Sequence, residues 1–188
     1  MAKSILHGDK VFLRRLQRED LPRTWEWLHR PDIYERIGVA VPFSPTQQEG
    51  WFSRLEQAQD KMVFAVCLTA DTRHIGNASL DMIDWRHRNA RLSIFVADAA
   101  ERGQGIGTQA LWLLLRYAFD YLNLHRVWCK TPADDPRIRS FYEALGFVNE
   151  GRWREHEFSE GSYRDKLVFG ILRGEFGSHT RPRAGDPG

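Results

Sequence analysis

Three glycines on alternate residues stand directly in front of a strongly helical segment of this chain. Gly103, Gly105 and Gly107 belong to the stretch ERGQGIGTQALWLLLRYAF, which covers residues 101–119. Glycine adopts positive φ angles at little steric cost, and its missing side chain lets a ligand approach the backbone closely. The residues behind the loop have the apolar spacing of a helix that packs against a sheet. The sequence therefore predicts a strand, a glycine loop and a helix in succession.

The junction between this loop and its helix is a candidate anion site. The first turn of an α-helix has up to four N–H groups without intrahelical partners, and the helix dipole places about half a positive charge there. Backbone amides in such a position bind phosphate groups. We therefore predict that residues 102–108 hold a pyrophosphate and that the Arg102 side chain adds a positive charge. The alternative is a glycine-rich turn without a ligand.

Two other phosphate-binding patterns fit the loop less well. The phosphate loop of nucleoside triphosphatases ends in Gly-Lys-Ser/Thr, whereas this loop continues Gly107-Thr108-Gln109. Residues 105–110 do satisfy the dinucleotide pattern G-x-G-x-x-A. That fold also needs an acidic residue at the end of its second strand, and the segment RVWCK ends in Lys130. A nicotinamide or flavin enzyme is accordingly the weaker interpretation.

The rest of the chain predicts one α/β domain, since 188 residues suffice for a single well-buried core. Apolar runs predict strands over 11–16, 62–68, 74–83, 91–97, 126–130, 151–156 and 166–172. Apolar spacing predicts helices through 21–28, after 46–49, over 106–122 and over 136–145. Between the first two helices, Pro31, Pro42 and Pro45 indicate loops and short turns. The expected architecture is a mixed sheet flanked by helices.

Composition and charge exclude several classes of protein. The chain has 27 basic and 25 acidic residues and a formal net charge of +2, so nucleic acid is not an expected partner. No signal peptide and no apolar stretch of about 20 residues is present, which predicts a soluble, cytoplasmic protein without a membrane partner. Cys67 and Cys129 lie in apolar runs and are expected to be buried thiols. The Gly- and Pro-rich residues 177–188 are expected to form a disordered tail behind a domain of residues 1–176.

Two linked segments resemble the GNAT superfamily of N-acetyltransferases. Residues 102–107, RGQGIG, resemble its acyl-coenzyme A loop, in which Gln or Arg is followed by two residues, Gly, one residue, and Gly or Ala. Residues 135–147, DPRIRSFYEALGF, resemble its Asn-led helix that ends Tyr-Glu-Lys-Leu-Gly-Phe. The likeness covers about residues 11–172. Its last part, GxxR at 151–154 and GxYxD at 161–165, is similar to the ribosomal-protein N-terminal acetyltransferases and the bacterial spermidine N-acetyltransferases.

The resemblance implies a GNAT-like acyl-CoA N-acyltransferase fold, with a mixed, mostly antiparallel central sheet flanked by helices. It implies acetyl-CoA as co-substrate and no metal. Backbone amides of the loop are expected to bind the coenzyme A pyrophosphate, through Arg102, Gly103, Gln104, Gly105, Ile106, Gly107 and Thr108. Phe95 and Val96, on the strand before the loop, are expected to pair with the pantetheine arm and to polarise the thioester carbonyl. Asp135 stands where the family has an Asn that contacts this arm, and Asp lacks the amide donor.

The same resemblance implies direct attack by a neutral amine in a ternary complex. Tyr142 stands where the family has the tyrosine that protonates the departing thiolate, whereas residue type alone favours core packing. Arg91 replaces an expected Glu, and its charge argues against a polycationic acceptor such as spermidine. Asp81, Asp84 or a water chain could accept the amine proton, although both carboxylates also fit solvated positions at strand ends.

The expected acceptor is an amine, with a protein or peptide N-terminus first and a small molecule, such as an antibiotic or a polyamine, second. A non-catalytic acyl-CoA sensor is a further alternative. Arg154, His156 and Tyr163 are candidates for the acceptor pocket or for ordinary surface pairing of strands. Paired metal ligands of the H-E-x-x-H type are absent, so no metal is expected. The sequence does not determine the oligomeric state, for which a homodimer is one option.

Overall fold

The computed structural model describes residues 6–39, 42–159 and 161–176. These residues form a seven-stranded sheet of order β1-β2-β3-β4-β5-β7-β6. The strands are β1 (Val11–Arg15), β2 (Met62–Leu68), β3 (His74–Asp84), β4 (Asn89–Val96), β5 (Arg126–Pro132), β6 (Val148–Ser159) and β7 (Ser162–Leu172). Neighbouring strands are antiparallel, except that β4 and β5 are parallel. The predicted mixed, mostly antiparallel sheet is therefore confirmed.

The helices flank both faces of this sheet. They are α1 (Leu21–Leu28), α2 (Pro31–Ile37), α3 (Pro45–Gln57), α4 (Ile106–Arg116), α5 (Pro136–Ala144) and α6 (Arg173–Phe176). A π-helical turn, Tyr117–Tyr121, extends α4, which accounts for the predicted helix through residue 122. Ser44 begins α3 with a capping box to Gln47, so the polar residues there act as a helix start.

Helix α2 corrects the expectation of loops after Pro31. The structure places Pro31 at the start of the helix, where its missing N–H costs nothing and its fixed φ suits the helical turn. The helix ends at Gly38, which adopts a left-handed φ of 68°, as helix-terminating glycines commonly do. The proline therefore begins an element instead of breaking one.

The two faces of the central strands differ in chemistry because side chains alternate along a strand. On β3, Ala78 and Leu80 belong to the large apolar core that includes α4. On the opposite face, α3 packs Phe52 and Leu55 against Val63 and Ala65 of β2. That second cluster covers β1 and β2 only, so the neighbouring part of the same face is free to carry polar residues.

The parallel strands β4 and β5 separate along their length. They pair at Asn89↔Arg126, Ala90↔Val127 and Arg91↔Trp128. Beyond this point β4 stays paired with β3 as far as Val96, and β5 stays paired with β7 as far as Pro132. A gap therefore opens between residues 92–96 of β4 and 129–132 of β5, which we call the wedge.

The structure also bears on three predictions about the whole chain: the cysteines, membrane-spanning segments and the C-terminal tail. Cys67 and Cys129 are buried and unpaired, as predicted. Within the described ranges, every helix is too short or too polar to cross a membrane. The expected disorder of residues 177–188 falls outside the described residues, and the domain boundary stays a prediction.

Candidate active site

The glycine loop has the backbone that the sequence predicts for an anion site. Gly103 and Gly105 adopt left-handed φ angles of 76° and 72°, which residues with a side chain adopt only with strain. Gly105 is the N-cap residue of α4 and offers no side-chain cap, so the first-turn amides depend on another acceptor. A Cβ atom built on Gly103 would meet nothing within 4 Å. The loop thus has the space and the donors that a pyrophosphate needs.

Buried and charged side chains fix this loop to the start of β1. The Gln109 Oε1 atom accepts hydrogen bonds from the backbone N–H groups of Lys10, at 2.7 Å, and Val11, at 3.0 Å. The Lys10 Nζ atom donates to the carbonyl of Gln104 at 2.6 Å. These contacts hold the N-terminus of α4 in place. Sequence reasoning missed Lys10 and Gln109, because their contacts join residues almost a hundred positions apart.

The Arg102 side chain is directed at β4 and α2. Its Nε donates to the Val96 carbonyl at 3.1 Å, and its Nη2 donates to Asp32 Oδ2 at 2.8 Å. Hydrogen bonds from Arg30 and Arg102 lower the pKa of Asp32. Asp32 also pairs with Arg30, so one carboxylate faces two guanidinium groups. The Arg102 side chain ties α2 to the end of β4, and the contribution of its charge to the loop stays a prediction.

Tyr142 is buried in the last turn of α5, beside the wedge. Its ring stacks on Phe169 at a centroid distance of 5.8 Å and packs edge-on against Phe147 at 5.2 Å. Its side chain also hydrogen-bonds to Cys129 on β5. Burial raises the pKa of the Cys129 thiol to about 12. Core packing, the alternative interpretation, therefore describes the ring. The position of the hydroxyl beside the β5 side of the wedge is compatible with the predicted proton transfer, which stays a prediction.

Asp135 caps α5. Its Oδ1 accepts hydrogen bonds from the backbone N–H groups of Arg137, at 3.0 Å, and Ile138, at 3.2 Å. This is the usual contribution of Asp at a helix N-cap. Capping α5 does not exclude the predicted contact of Asp135 with pantetheine. That contact stays a prediction.

A cleft of about 510 Å³ lies on the sheet face opposite α4, and we call it the polar cleft. Its floor consists of side chains that the register of β3 and β4 sets in rows: Asn77 beside Phe95, Ser79 beside Ser93, and Asp81 beside Arg91. Its apolar wall comes from α1 to α3 and the segment before α3, through Leu28, Ile37, Phe43 and Trp51. Lys130 of β5 and Phe95 of β4 both line it. The polar cleft therefore meets the wedge from the side opposite the core.

The charged side chains of the polar cleft are partly paired. Arg91 Nε and Asp81 Oδ1 are 2.6 Å apart, and Lys166 Nζ and Glu157 Oε1 are 2.8 Å apart. Burial lowers the pKa of Lys130, and the neighbouring charges of Arg91 and Lys166 lower it further. The positive charge expected at Arg91 is thus in the cleft, but Asp81 balances it.

The structure separates the two candidate bases. Asp81 is buried with a relative exposure of 6%, so it is not the solvated carboxylate that the alternative interpretation describes. Asp84 is partly exposed and accepts hydrogen bonds from His87 N and Nδ1, both at 2.8 Å, which lower its pKa. Only Asp81 lines the polar cleft. For Asp84, the solvated interpretation fits.

The predicted acceptor residues of the last strand pair lie elsewhere. Arg154, His156 and Tyr163 are exposed and are not among the residues that line the polar cleft. Tyr163 packs against Phe158 at a centroid distance of 5.1 Å, which fits the surface interpretation. The same two strands instead supply Glu157 and Lys166 to the cleft. Of the described residues, no three His, Cys, Asp or Glu side chains are grouped so that they could hold a metal ion.

A loop that exposes amides before a helix, beside a parallel strand pair that separates, is the arrangement expected from the resemblance to the GNAT superfamily. The family described as Acetyltransferase (GNAT) domain matches residues 10–148, so the chain belongs to the GNAT acetyltransferases. It is an N-acetyltransferase. The fold and the family predicted from the two motifs are thereby confirmed.

Relatives and solved structures indicate which branch of the GNAT acetyltransferases this chain resembles. The spermidine N(1)-acetyltransferase of Vibrio cholerae is 30% identical over 175 residues, which cover 90% of this chain and 96% of that protein. The Escherichia coli enzyme of the same name is 26% identical over 181 residues and covers 92% and 91%. The crystal structure of spermidine N-acetyltransferase from Vibrio cholerae in complex with CoA and spermine matches with a TM-score of 0.85 at 25% identity, over 90% of this chain and 99% of that one. The spermidine branch is one of the two that the sequence predicted.

Proposed function

We propose that this protein transfers the acetyl group of acetyl-CoA to the primary amine of a small molecule bound in the polar cleft. The observation that carries the proposal is the meeting of the wedge with the polar cleft at Phe95, on the strand that leads to the glycine loop. A pyrophosphate on residues 102–108 would place the pantetheine arm along Phe95 and Val96. The matching crystal structure of the Vibrio cholerae enzyme contains both CoA and spermine, which supports a ternary complex.

Each residue has a defined task in this proposal. The acetyl thioester supplies the acyl group, and the backbone of β4 holds its carbonyl. The Val96 carbonyl already accepts from Arg102, so pairing of Val96 with pantetheine uses its N–H or its second lone pair. Tyr142 protonates the departing thiolate. Asp81 is the carboxylate that receives the amine proton, directly or through water, because it lines the cleft and Asp84 does not.

A small acceptor is better supported than the protein N-terminus that the sequence favoured. The volume of about 510 Å³ is typical of small-molecule sites. The relatives from Vibrio cholerae and Escherichia coli are named spermidine N(1)-acetyltransferases, which makes a polyamine the second candidate.

The test is thiol release from acetyl-CoA with a panel of acceptors. The panel contains spermidine, neutral aliphatic and aromatic monoamines, amino acids, and peptides that match ribosomal protein N-termini. We expect turnover with at least one small amine and an acetylated product of the corresponding mass. Turnover with peptides alone would instead establish the N-terminal activity. Binding of coenzyme A in calorimetry without turnover of any amine would identify a non-catalytic sensor.

Two further expectations stay predictions. Light scattering during size-exclusion chromatography measures whether the chain forms a homodimer. Cell fractionation measures whether it is cytoplasmic.

A further inference from the structure

We infer that the acceptor amine carries an anionic group, a carboxylate or a phosphate, which binds at Lys130 where the polar cleft meets the wedge. This inference rests on the proposed acetyl transfer to a small amine. It specifies the chemical class of that amine and differs from the polyamines named for the relatives.

The first argument is the charge of the polar cleft. Its charged lining residues are four cations and two carboxylates: Lys61, Arg91, Lys130, Lys166, Asp81 and Glu157. The two carboxylates are used in the pairs Arg91–Asp81 and Lys166–Glu157. Two positive charges are therefore left over. A polycation entering this cleft would be repelled, whereas an anion would be attracted.

The second argument is the position of Lys130. Its ammonium donates to His156 Nε2 at 3.0 Å, and none of the ion pairs among the described residues includes it. Lys61 is different, because its ammonium lies over the Trp51 ring at 5.6 Å, against the apolar wall. An ammonium has three donors, so Lys130 can hold an anion while it keeps its contact with His156.

The third argument is the relation of Lys130 to the reacting carbonyl. Arg91 pairs with Trp128 across β4 and β5, and Lys130 lies two residues further along β5 on the same face. Continuing that register places Lys130 opposite Ser93, two residues before Phe95 on the same face of β4. Burial is the main cause that lowers the pKa of Lys130, the charges of Arg91 and Lys166 lower it further, and those of Glu157 and Asp81 oppose them. An anionic group here would place a nearby amine at the thioester.

The apolar wall completes the description of the acceptor. Leu28, Ile37, Phe43 and Trp51 face the cleft opposite its charged floor. A ligand that fills the cleft thus needs an apolar body beside its anionic group. An α-amino acid with an apolar side chain, or a phosphorylated amine with an apolar part, has these features.

The experiment compares pairs of acceptors of which one member carries an anionic group and the other does not. L-Leucine and L-phenylalanine are compared with leucinamide and phenylalaninamide, phosphoethanolamine is compared with ethanolamine, and spermidine is included. We expect kcat/KM to be at least about ten-fold higher for the anionic member of a pair. The amides have the less basic amine, close to the α-amino pKa of about 7.7–8.0, so intrinsic reactivity opposes the expected preference. The amino acid pairs and the phosphate pair distinguish the two anions.

Variants of Lys130 then assign the preference to this residue. Lys130→Met should lower the ratio of kcat/KM for acid over amide on the order of ten-fold, because a charged hydrogen bond is lost. Lys130→Arg should restore most of the ratio. Arg54→Met, an exposed position on α3 outside the cleft, is the matched control and should leave the ratio unchanged.

Three outcomes would overturn the inference. The first is a preference for spermidine or for the amides in an active enzyme. The second is an unchanged acid-to-amide ratio in Lys130→Met, which would show that Lys130 does not recognise the anion. In both cases the proposed acetyl transfer survives. The third is absence of turnover with every amine despite coenzyme A binding, which removes the proposed function itself.

Discussion

Gly107 tests the acyl-coenzyme A motif at the scale of one residue. It lies in the first turn of α4, and a methyl group there would meet the Phe141 ring at an ordinary 3.8 Å. Alanine is favoured over glycine in helices by about 0.5–1 kcal/mol. We therefore expect Gly107→Ala to keep or slightly raise the free energy of unfolding. Coenzyme A affinity should be retained, because the motif accepts either Gly or Ala at this position. Urea unfolding and calorimetry measure the two quantities.

Gly50→Ala is the matched control for this prediction. Gly50 lies inside α3, where a Cβ atom would approach the Arg54 guanidinium at 3.6 Å. The substitution should raise stability by a similar amount and leave coenzyme A affinity unchanged. A loss of coenzyme A affinity in Gly107→Ala but not in Gly50→Ala would show that the loop does not follow the family motif.

Two roles are considered for Tyr142: packing of its ring in the core and proton transfer by its hydroxyl. A substitution that removes the hydroxyl oxygen alone distinguishes them. Tyr142→Phe removes the hydroxyl and keeps the ring that stacks on Phe169. We expect kcat to fall about a hundred-fold, which is typical for loss of a general acid. The free energy of unfolding should change by about 1 kcal/mol, as expected for one lost hydrogen bond. Steady-state kinetics and urea unfolding measure the two effects.

Tyr117→Phe is the control for loss of a partly buried tyrosine hydroxyl. Tyr117 lies in the π-helical turn and packs edge-on against Phe64 at 5.6 Å. Tyr117→Phe should lower the free energy of unfolding and leave kcat unchanged. An unchanged kcat in Tyr142→Phe would leave Tyr142 with core packing as its function.

At the scale of elements, prediction succeeded where one face of an element is buried in the core. The hairpin of β2 and β3, predicted over 62–68 and 74–83, lies at Met62–Leu68 and His74–Asp84. Helix α5, predicted over 136–145, ends one residue earlier. A buried face imposes a regular spacing of apolar residues, which a single sequence displays.

Prediction was weaker where exposure removes that spacing. Strands β6 and β7 were predicted over 151–156 and 166–172, but they form a longer hairpin over Val148–Ser159 and Ser162–Leu172. Residues of β6 are mostly exposed, so no apolar alternation marks its ends.

The uncharged polar residues of the cleft floor, Asn77, Ser79 and Ser93, were missed for a different reason. Polar residues occupy every second position of β3, at Asn77, Ser79 and Asp81, and this alternation was the available signal. It does not say which residues of β4 stand beside them. The pairing of Ser79 with Ser93 and of Asp81 with Arg91 depends on strand register, which turn geometry and packing determine.

Substitutions of Asp135 test its contribution as the N-cap residue of α5. Asp135→Ala removes the acceptor for the Arg137 and Ile138 amides and should cost about 1 kcal/mol of stability. Asp135→Asn should cost little, since Asn is an equally good N-cap residue. If Asp135 also contacts pantetheine, Asn adds the missing amide donor, and its affinity for acetyl-CoA should exceed that of the native protein. Equal stability of all three proteins would contradict the cap.

At the scale of the whole molecule, a buried polar cluster joins β1, the start of α1 and β3. Asp20 accepts from the Arg14 guanidinium at 2.7 and 2.8 Å. Burial opposes ionisation of Asp20, but hydrogen bonds from Arg14 and the Gln17 amide outweigh it and lower its pKa. His74 lies in the same cluster, with Nδ1 3.4 Å from Asp20 Oδ1. Its Nε2 is 2.8 Å from Asn77 Oδ1, at the floor of the polar cleft.

His74 should make the stability of the whole fold depend on pH. Burial lowers its pKa below the ordinary 6.5, although Asn77 and Asp20 favour the charged form. The unfolded chain therefore binds a proton as the pH falls below about 6.5, before the folded protein does. The free energy of unfolding should decrease as pH falls from 6.5 towards the folded pKa, by at most about 1.4 kcal/mol per pH unit. Urea unfolding at a series of pH values between 7.5 and 5.5 measures this slope. His74→Gln should flatten it, whereas His125→Gln, at an exposed position, should retain it. Equal slopes in the native protein and His74→Gln would show that the pKa of His74 is the same in the folded and the unfolded protein, which would contradict the prediction.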